Sequence, residues 1–245
     1  MTLGFSERTF EFCFNSEYCQ LNAALLATYP NMPSQRIEKN LGYDVEFKIR
    51  NGNYTRSLFL QHKVSFIAER KAGSNSRFYA VHRGPYFRFP VDNEQHNTLC
   101  ELSRMRGNAF YCAPRFNLRQ ELEAHYRATS IGANSILLDP LDVGDIGDDD
   151  RHNITYNPLG GNPTLHSEPV HFRRSYSGGK ENAPELRRVI INSEYVRELS
   201  DGLLHRAQGS RFAKFIMPSI RRFSSLKQAQ ILLGRIFQVS WLLLP

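Results

Sequence analysis

The sequence predicts an α/β protein with a mixed central sheet flanked by helices and a helical C-terminal extension. Three observations carry that expectation. Two runs of alternating apolar and polar residues, GYDVEFKI (Gly42 to Ile49) and SLFLQHKV (Ser57 to Val64), flank an Asn51-Gly52-Asn53 turn and define a β-hairpin. A helix-period segment, Asn93 to Arg106, separates this hairpin from a short apolar strand at Ala109 to Ala113. Beyond about residue 180, two further segments carry apolar residues at helical spacing.

Composition bounds the rest. A chain of 245 residues with 41% hydrophobic and 22% charged residues has the make-up of a folded globular protein and excludes wholesale disorder. It is long enough to bury a core of its own, and residues 1–245 are expected to form a single domain. No basic-then-apolar leader opens the sequence, and no stretch reaches the ~18 apolar residues of a membrane helix. Ile231 to Pro245 comes nearest but contains Arg235, Gln238 and Ser240. Cys13, Cys19, Cys100 and Cys112 lack the C-x-x-C spacing of a zinc site and are expected to be reduced, structural thiols. These features predict a cytoplasmic protein with no membrane partner.

Each element follows from local pattern. Thr9 to Asn15 alternates Phe10, Phe12 and Phe14 with Thr9, Glu11 and Cys13, which predicts a strand. Gln20 to Tyr29 is expected to be helical, with Leu21, Leu25 and Leu26 on one side, before Pro30 and Pro33. Ser34 can cap a short helix running to Leu41, which Gly42 would end. In the hairpin, Tyr43, Val45, Phe47 and Ile49 share one face, and pairing Asn51 with Tyr54 sets Asp44 opposite Gln61. Tyr86 to Val91 is a third strand, and Asn93 to Arg106 is a helix closed by Gly107. Asn117, with Gln120 three residues on, opens another helix, whose Leu118, Leu122 and Tyr126 line one face. Ser135 to Leu138 has the composition of a buried strand, and the polar Asp139 to His166 that of a surface excursion. Ser193 caps a helix bearing Val196, Leu199, Leu203 and Leu204, and Leu226 to Phe237 forms the last one.

The hairpin also carries chemistry. A strand Asp followed on the next strand by Gln61-His62-Lys63, in the order helix, strand, strand, strand, helix, strand, resembles the PD-(D/E)XK nuclease superfamily over about residues 34–113. That resemblance implies a restriction-endonuclease-like core and a metal-dependent nuclease acting on DNA, with restriction or defence as the family's usual setting. Asp44 matches the metal-ligating strand aspartate, and Lys63 matches the lysine that orients or deprotonates the attacking water. Glu38 resembles the helix glutamate of many members. Gln61 stands where the family usually places Asp or Glu, a departure that leaves a neutral, weaker ligand; the backbone carbonyl of His62 is a further candidate ligand. Carboxylate oxygens suit Mg²⁺ or Mn²⁺. A catalytically silent member of the same fold, serving as a nucleic-acid-binding or protein-interaction subunit, is the alternative.

Charge adds a lean toward a polyanion. Residues 1–167 hold 18 Lys/Arg against 18 Asp/Glu, whereas residues 168–245 hold 13 against 6. The cluster Arg206, Arg211, Lys214, Arg221, Arg222 and Lys227 is therefore the expected nucleic-acid contact. Phe78, Tyr79, Arg83, Tyr86, Phe87, Arg88 and Phe89 interleave aromatics and bases as single-strand binders do, with core packing expected for about half of them. Asp139, Asp142, Asp145 and Asp148 to Asp150 lack the alternate spacing of a calcium loop. No G-x-S-x-G elbow or phosphate-binding G-x-x-x-x-G-K-[ST] occurs.

Overall fold

A computed structural model describes residues 4–51, 54–70, 76–147, 151–166, 170–172 and 175–177, together with isolated positions 197, 200, 201, 204, 224 and 228. The chain divides into two compact units, residues 1–187 and 188–245. In the second, Arg197, Ser200, Asp201 and Leu204 are helical, and the Ser200 hydroxyl donates to Gln228 Oε1 at 2.9 Å. Gln228, within the expected last helix, is helical too; the rest of that helix and the basic cluster lie outside the described residues.

The first unit is mixed α/β. Its elements run α1 (Glu7–Leu21), α2 (Gln35–Leu41), β1 (Val45–Asn51), β2 (Tyr54–His62), β3 (Phe66–Ala68), α3 (Ser76–His82), β4 (Tyr86–Val91) and α4 (Asn93–Arg106). There follow β5 (Ala109–Pro114), α5 (Arg119–Arg127), β6 (Ser135–Leu138), β7 (His152–Tyr156), β8 (Thr164–His166), β9 (Val170–His171) and β10 (Ser175–Ser177). The strands form two five-stranded sheets, ordered β1-β2-β5-β6-β10 and β3-β4-β7-β8-β9. Among the described residues no helix is long and apolar enough to cross a membrane.

The hairpin register is the one the turn predicts. Asn51 pairs with Tyr54, and the ladder runs to Val45 opposite Leu60. Helix α4 then crosses over so that β5 lies parallel to β2, Leu60 beside Phe110 and His62 beside Cys112. Phe10, Phe14 and Tyr18 of α1 cover one face of this sheet, packing on Val45, Phe47, Leu58, Leu60, Phe110 and Cys112. Phe87, Phe89, Ile154 and Leu165 of the second sheet pack on the opposite face, against Phe59, Ala109, Tyr111 and Ala113.

Three expectations give way. Thr9 to Asn15 is the middle of α1 and not a strand. The Phe10, Phe12, Phe14 alternation suits a strand, but Phe10, Phe14 and Tyr18 also fall four apart on one helix face, and Ser6 caps the helix by accepting the Thr9 N–H at 3.1 Å. Phe12 is accordingly left 65% exposed. Gln20 to Tyr29 is not helical, because α1 ends at Leu21 and the segment is drawn along the outer edge of β1. There the Ala27 N–H donates to Lys48 O at 2.8 Å and the Asn31 N–H to Glu46 O at 2.9 Å. An open strand edge offers this backbone the hydrogen bonds that a helix would otherwise supply.

The third correction is Asp139 to His166, which contains β7 and β8 and is not a surface excursion. These strands escape a hydropathy reading because one of their two buried faces is polar. Thr155 Oγ1 lies 2.7 Å from His82 Nε2 and 2.8 Å from His166 Nε2, so the buried polar groups satisfy one another. The fourth helix boundary also shifts slightly: α5 starts at Arg119, and Glu121 rather than Gln120 reaches back to the Asn117 and Leu118 amides, at 3.1 and 2.9 Å. All four cysteines are free thiols, Cys100 and Cys112 fully buried.

One buried carboxylate ties α1 to the far side of the sheet. Glu17 accepts the Ile131 N–H at 2.8 Å and the Gly132 N–H at 2.7 Å, ahead of β6. Glu17→Ala leaves both amides buried without an acceptor. It should cost about 3 kcal/mol, or about 6–12 °C in Tm, with Glu17→Gln recovering about half by keeping one acceptor oxygen. Thermal unfolding of the three proteins checks this.

Candidate functional site

The end of the first sheet, where β1 begins and β2 finishes, gathers Glu38, Asp44, His62 and Lys63. Asp44 lies one residue ahead of β1. Its N–H donates to Leu60 O at 2.9 Å, although Leu60 is already the ladder partner of Val45. Two residues thus oppose one, the arrangement of a β-bulge, and the bulge turns Asp44 toward the face that Val45 and α1 share. Tyr43, expected on that face, instead packs on Phe59 across the sheet, with ring centroids 4.9 Å apart.

His62 meets the turned carboxylate. Its N–H donates to Asp44 Oδ2 at 2.5 Å, and its Nδ1 lies 3.6 Å from the same oxygen. The ring is fully buried, with Phe10 and Phe14 centroids at 5.8 and 5.5 Å in edge-on geometry. Helix α2 delivers Glu38 to the same place. Gly42 ends α2 with φ +74°, and a Cβ there would stand 2.8 Å from Thr98 Cγ2 and 3.0 Å from the Leu99 N of α4. Only glycine accommodates both the dihedral and the approach.

Gln61 does not join them. The ladder ends with Val45 opposite Leu60 and does not pair Asp44 with Gln61 as expected; the bulge at Leu60 and strand alternation send the two side chains to opposite faces. Gln61 sits beside Tyr111, in the layer between the sheets, fully buried and with neither amide atom bonded to a protein group. Lys63 is one step past β2, its N–H donating to Cys112 O at 2.9 Å. Its Nζ donates to Gln95 Oε1 at 2.9 Å, on the first turn of α4, whose own N–H is capped by Asp92 Oδ1 at 2.8 Å.

Two residues that the sequence reading passed over complete the surroundings. Glu7 and Glu11, four apart on α1, face Asp44 and His62, and Glu7 also faces Lys63 and the Val64 amide. Their signal was the helix period of Glu7, Phe10, Glu11 and Phe14, concealed by the strand-like alternation of phenylalanines. Desolvation raises the pKa of both carboxyls, with the Asp44 charge adding to it.

The pair Glu38 and Asp44 is the electrostatic centre. Burial, the Asp44 charge and a hydrogen bond with Asp44 push the Glu38 carboxyl up to about 7. Burial also works to raise Asp44, but the His62 ring, the His62 amide and the Lys63 charge outweigh it and hold that carboxyl below the ordinary range. One carboxylate and one carboxylic acid therefore share a proton near neutral pH.

The remaining candidates resolve differently. Phe78, Tyr86, Phe87 and Phe89 are core residues. Asp145 forms an ion pair with Arg104 at 2.9 Å, and Asp139 caps the Leu141 amide at 3.0 Å. Asp148 to Asp150, and the cluster Arg206, Arg211, Lys214, Arg221, Arg222 and Lys227, lie outside the described residues. Among the described residues no group of three or more His, Cys, Asp or Glu side chains is placed to hold a metal ion. No family model, no curated protein and no solved structure matches the chain.

The pH dependence follows from Glu38. Because the folded chain holds this proton more tightly, it binds more protons than the unfolded chain between pH 4.5 and about 7, and stability falls as pH rises through that window. Glu38→Gln should therefore raise Tm by about 2–4 °C at pH 8, after solvent screening of a partly exposed group, and the gain should vanish by about pH 4.5. Melting curves across this range check the sign. Gln61→Met should hold or raise Tm, since it removes two buried polar atoms that lack protein partners and keeps the volume.

Proposed function

We propose that the chain is a divalent-metal-dependent nuclease of the PD-(D/E)XK, restriction-endonuclease-like kind, hydrolysing phosphodiester bonds in DNA. The observation that carries this reading is the meeting of the Glu38 and Asp44 carboxyls beside His62 and Lys63 at the end of a sheet. The α2–β1–β2 succession, with β5 following α4 and lying parallel to β2, supports the same reading, while β4, the third strand of the expected order, belongs to the second sheet. Restriction or defence is an analogy with the superfamily, and a cytoplasmic setting accords with four free thiols.

The residues fit Mg²⁺ or Mn²⁺ in a defined sense. Magnesium is commonly held by one or two carboxylates together with substrate phosphate, so two carboxyls at hydrogen-bonding distance suffice on the protein side. Glu38 would exchange its proton for the cation, relieving the repulsion that raises it. Asp44 is held ready by the His62 amide and ring. When bound, such an ion supplies positive charge to the phosphate oxygens and acidifies a water. Lys63, steadied by Gln95, brings a second positive charge to the same oxygens. Gln61, on the other face, supports the strand from below and takes no ligand role. The basic cluster from Arg206 to Lys227 would contact phosphates, giving salt-dependent binding.

The silent-fold reading rests on two features of its own: Lys63 is engaged by Gln95, and the motif glutamine faces away. Cleavage of supercoiled plasmid and single-stranded DNA with Mg²⁺ or Mn²⁺ separates the two. Lys63→Ala and Asp44→Ala should each lower cleavage by about 10²-fold or more, and Gln61→Met should leave it within a few-fold. Mn²⁺ should raise the Tm of the wild type and of Lys63→Ala, but not of Asp44→Ala. A wild type that neither cuts nor gains thermal stability with Mn²⁺ decides for the silent subunit.

A further inference from the structure

The segment between α1 and α2 exposes apolar side chains that edge protection does not require. Leu26 bridges Ile49 and Asn31 bridges Glu46, so this segment takes five steps where β1 takes three. The two extra residues push Thr28 to Pro30 outward from the sheet. Bulges and proline are ordinary ways of blunting a strand edge, and Pro30 with a polar loop tip would do so. Here the tip instead carries Tyr29, 78% exposed, followed by Met32 at 52%. Beside them on β1, Lys48 and Arg50 are exposed as well. A mostly exposed aromatic ring on the segment that pairs with β1, with exposed cations on that strand, is the combination that single-stranded nucleic acid recognises: bases stack on the ring and phosphates follow the charge.

Position matters as much as composition. The Ala27 N–H bonds Lys48 O, so the bulged tip leaves β1 beside Phe47 and Lys48. At about 3.3 Å of rise per residue, Lys48 stands about 10–13 Å along β1 from Asp44. That is about three to four nucleotides at duplex rise, and fewer in a stretched strand.

We infer that Tyr29 and Lys48 form a stacking platform for an unpaired segment of the nucleic-acid strand that flanks the scissile phosphate. The inference rests on the nuclease reading only for the position of the cut. Duplex bases are already stacked and cannot lie on Tyr29, so the platform selects single-stranded regions, overhangs or frayed ends.

The test is fluorescence anisotropy of a labelled 12-nucleotide oligo(dT) and of a duplex of equal length, in EDTA so that no cleavage intervenes. The wild type should bind oligo(dT) more tightly than duplex. Tyr29→Ala should weaken oligo(dT) binding about tenfold with little effect on duplex, and Tyr29→Phe, which keeps the ring, should bind like wild type. Lys48→Ala should weaken both and lower the salt slope by about one. Oligo(dT) binding that is unchanged in Tyr29→Ala, or a wild type that binds no oligo(dT), overturns the inference. Cleavage assays on the same proteins keep the two ideas apart. Cutting that persists while Tyr29→Ala binds normally sinks the platform alone, and ring-dependent binding without any cutting sinks the nuclease reading alone.

Discussion

Everything distinctive about the candidate site depends on the direction of one carboxylate. Had β1 begun as a regular ladder, Asp44 would have faced Gln61 in the dry layer between the sheets. The extra residue opposite Leu60 turns it to the α1 face, where the His62 amide and ring receive it. His62 is in turn fixed by Phe10 and Phe14, so the aromatic face of α1 acts on the site through the imidazole. The packing of α1, the bulge and the carboxylate pair are therefore one construction. A change in how α1 seats on the sheet would move His62 and release Asp44.

That construction concentrates negative charge where folding alone would avoid it. Glu7, Glu11, Glu38 and Asp44 surround one lysine and one histidine, and three of the four carboxyls are harder to ionise than usual. Burying like charges costs more than any pairing here returns. The contrast with Glu17 is instructive. Glu17 is as buried as Asp44, yet it bridges two amides and joins two elements, a purely structural use of a carboxylate. Glu38 bridges no such pair of amides; its neighbour is the Asp44 carboxyl, which works to raise its pKa.

The sequence disclosed what local chemistry determines. Asn51-Gly52-Asn53 dictated the turn, and the turn dictated the register, so the hairpin pairing was legible to the residue. Helix α4 was equally plain, since Asp92, the apolar period and Gly107 agree on its limits. What escaped was set by partners far along the chain. Phenylalanines at 10, 12 and 14 satisfy a strand as well as a helix until Ser6 is seen to cap. The buried threonines and histidines of β7 and β8 look like loop residues because their satisfaction comes from His82, about 70 residues away. Nothing in GYDVEFKI marks the bulge, because Asp44 and Val45 share Leu60 only once β2 is in place. For that reason the motif residues Asp44, Lys63 and Glu38 gather at one end of the sheet while Gln61 faces the other way, and Glu7 and Glu11 join them from a helix that the phenylalanine alternation had concealed.

The second sheet explains why the site lies where it does. By covering Phe59, Ala109 and Tyr111 with Phe87, Phe89 and Ile154, it seals the face that holds Gln61. The Tyr156 hydroxyl closes that layer further, donating to Pro114 O at 2.6 Å and lying 2.5 Å from the Ser65 hydroxyl. The opposite face is covered by α1. With both faces buried, polar chemistry can meet solvent only at the rims of the first sheet. One rim is the hairpin turn, which carries no acidic side chain. At the other, β2 ends at His62, β1 follows Asp44, and α2 and α4 each present their first turns, while α1 brings Glu7 and Glu11, so acidic and cationic groups arrive there from several separate elements.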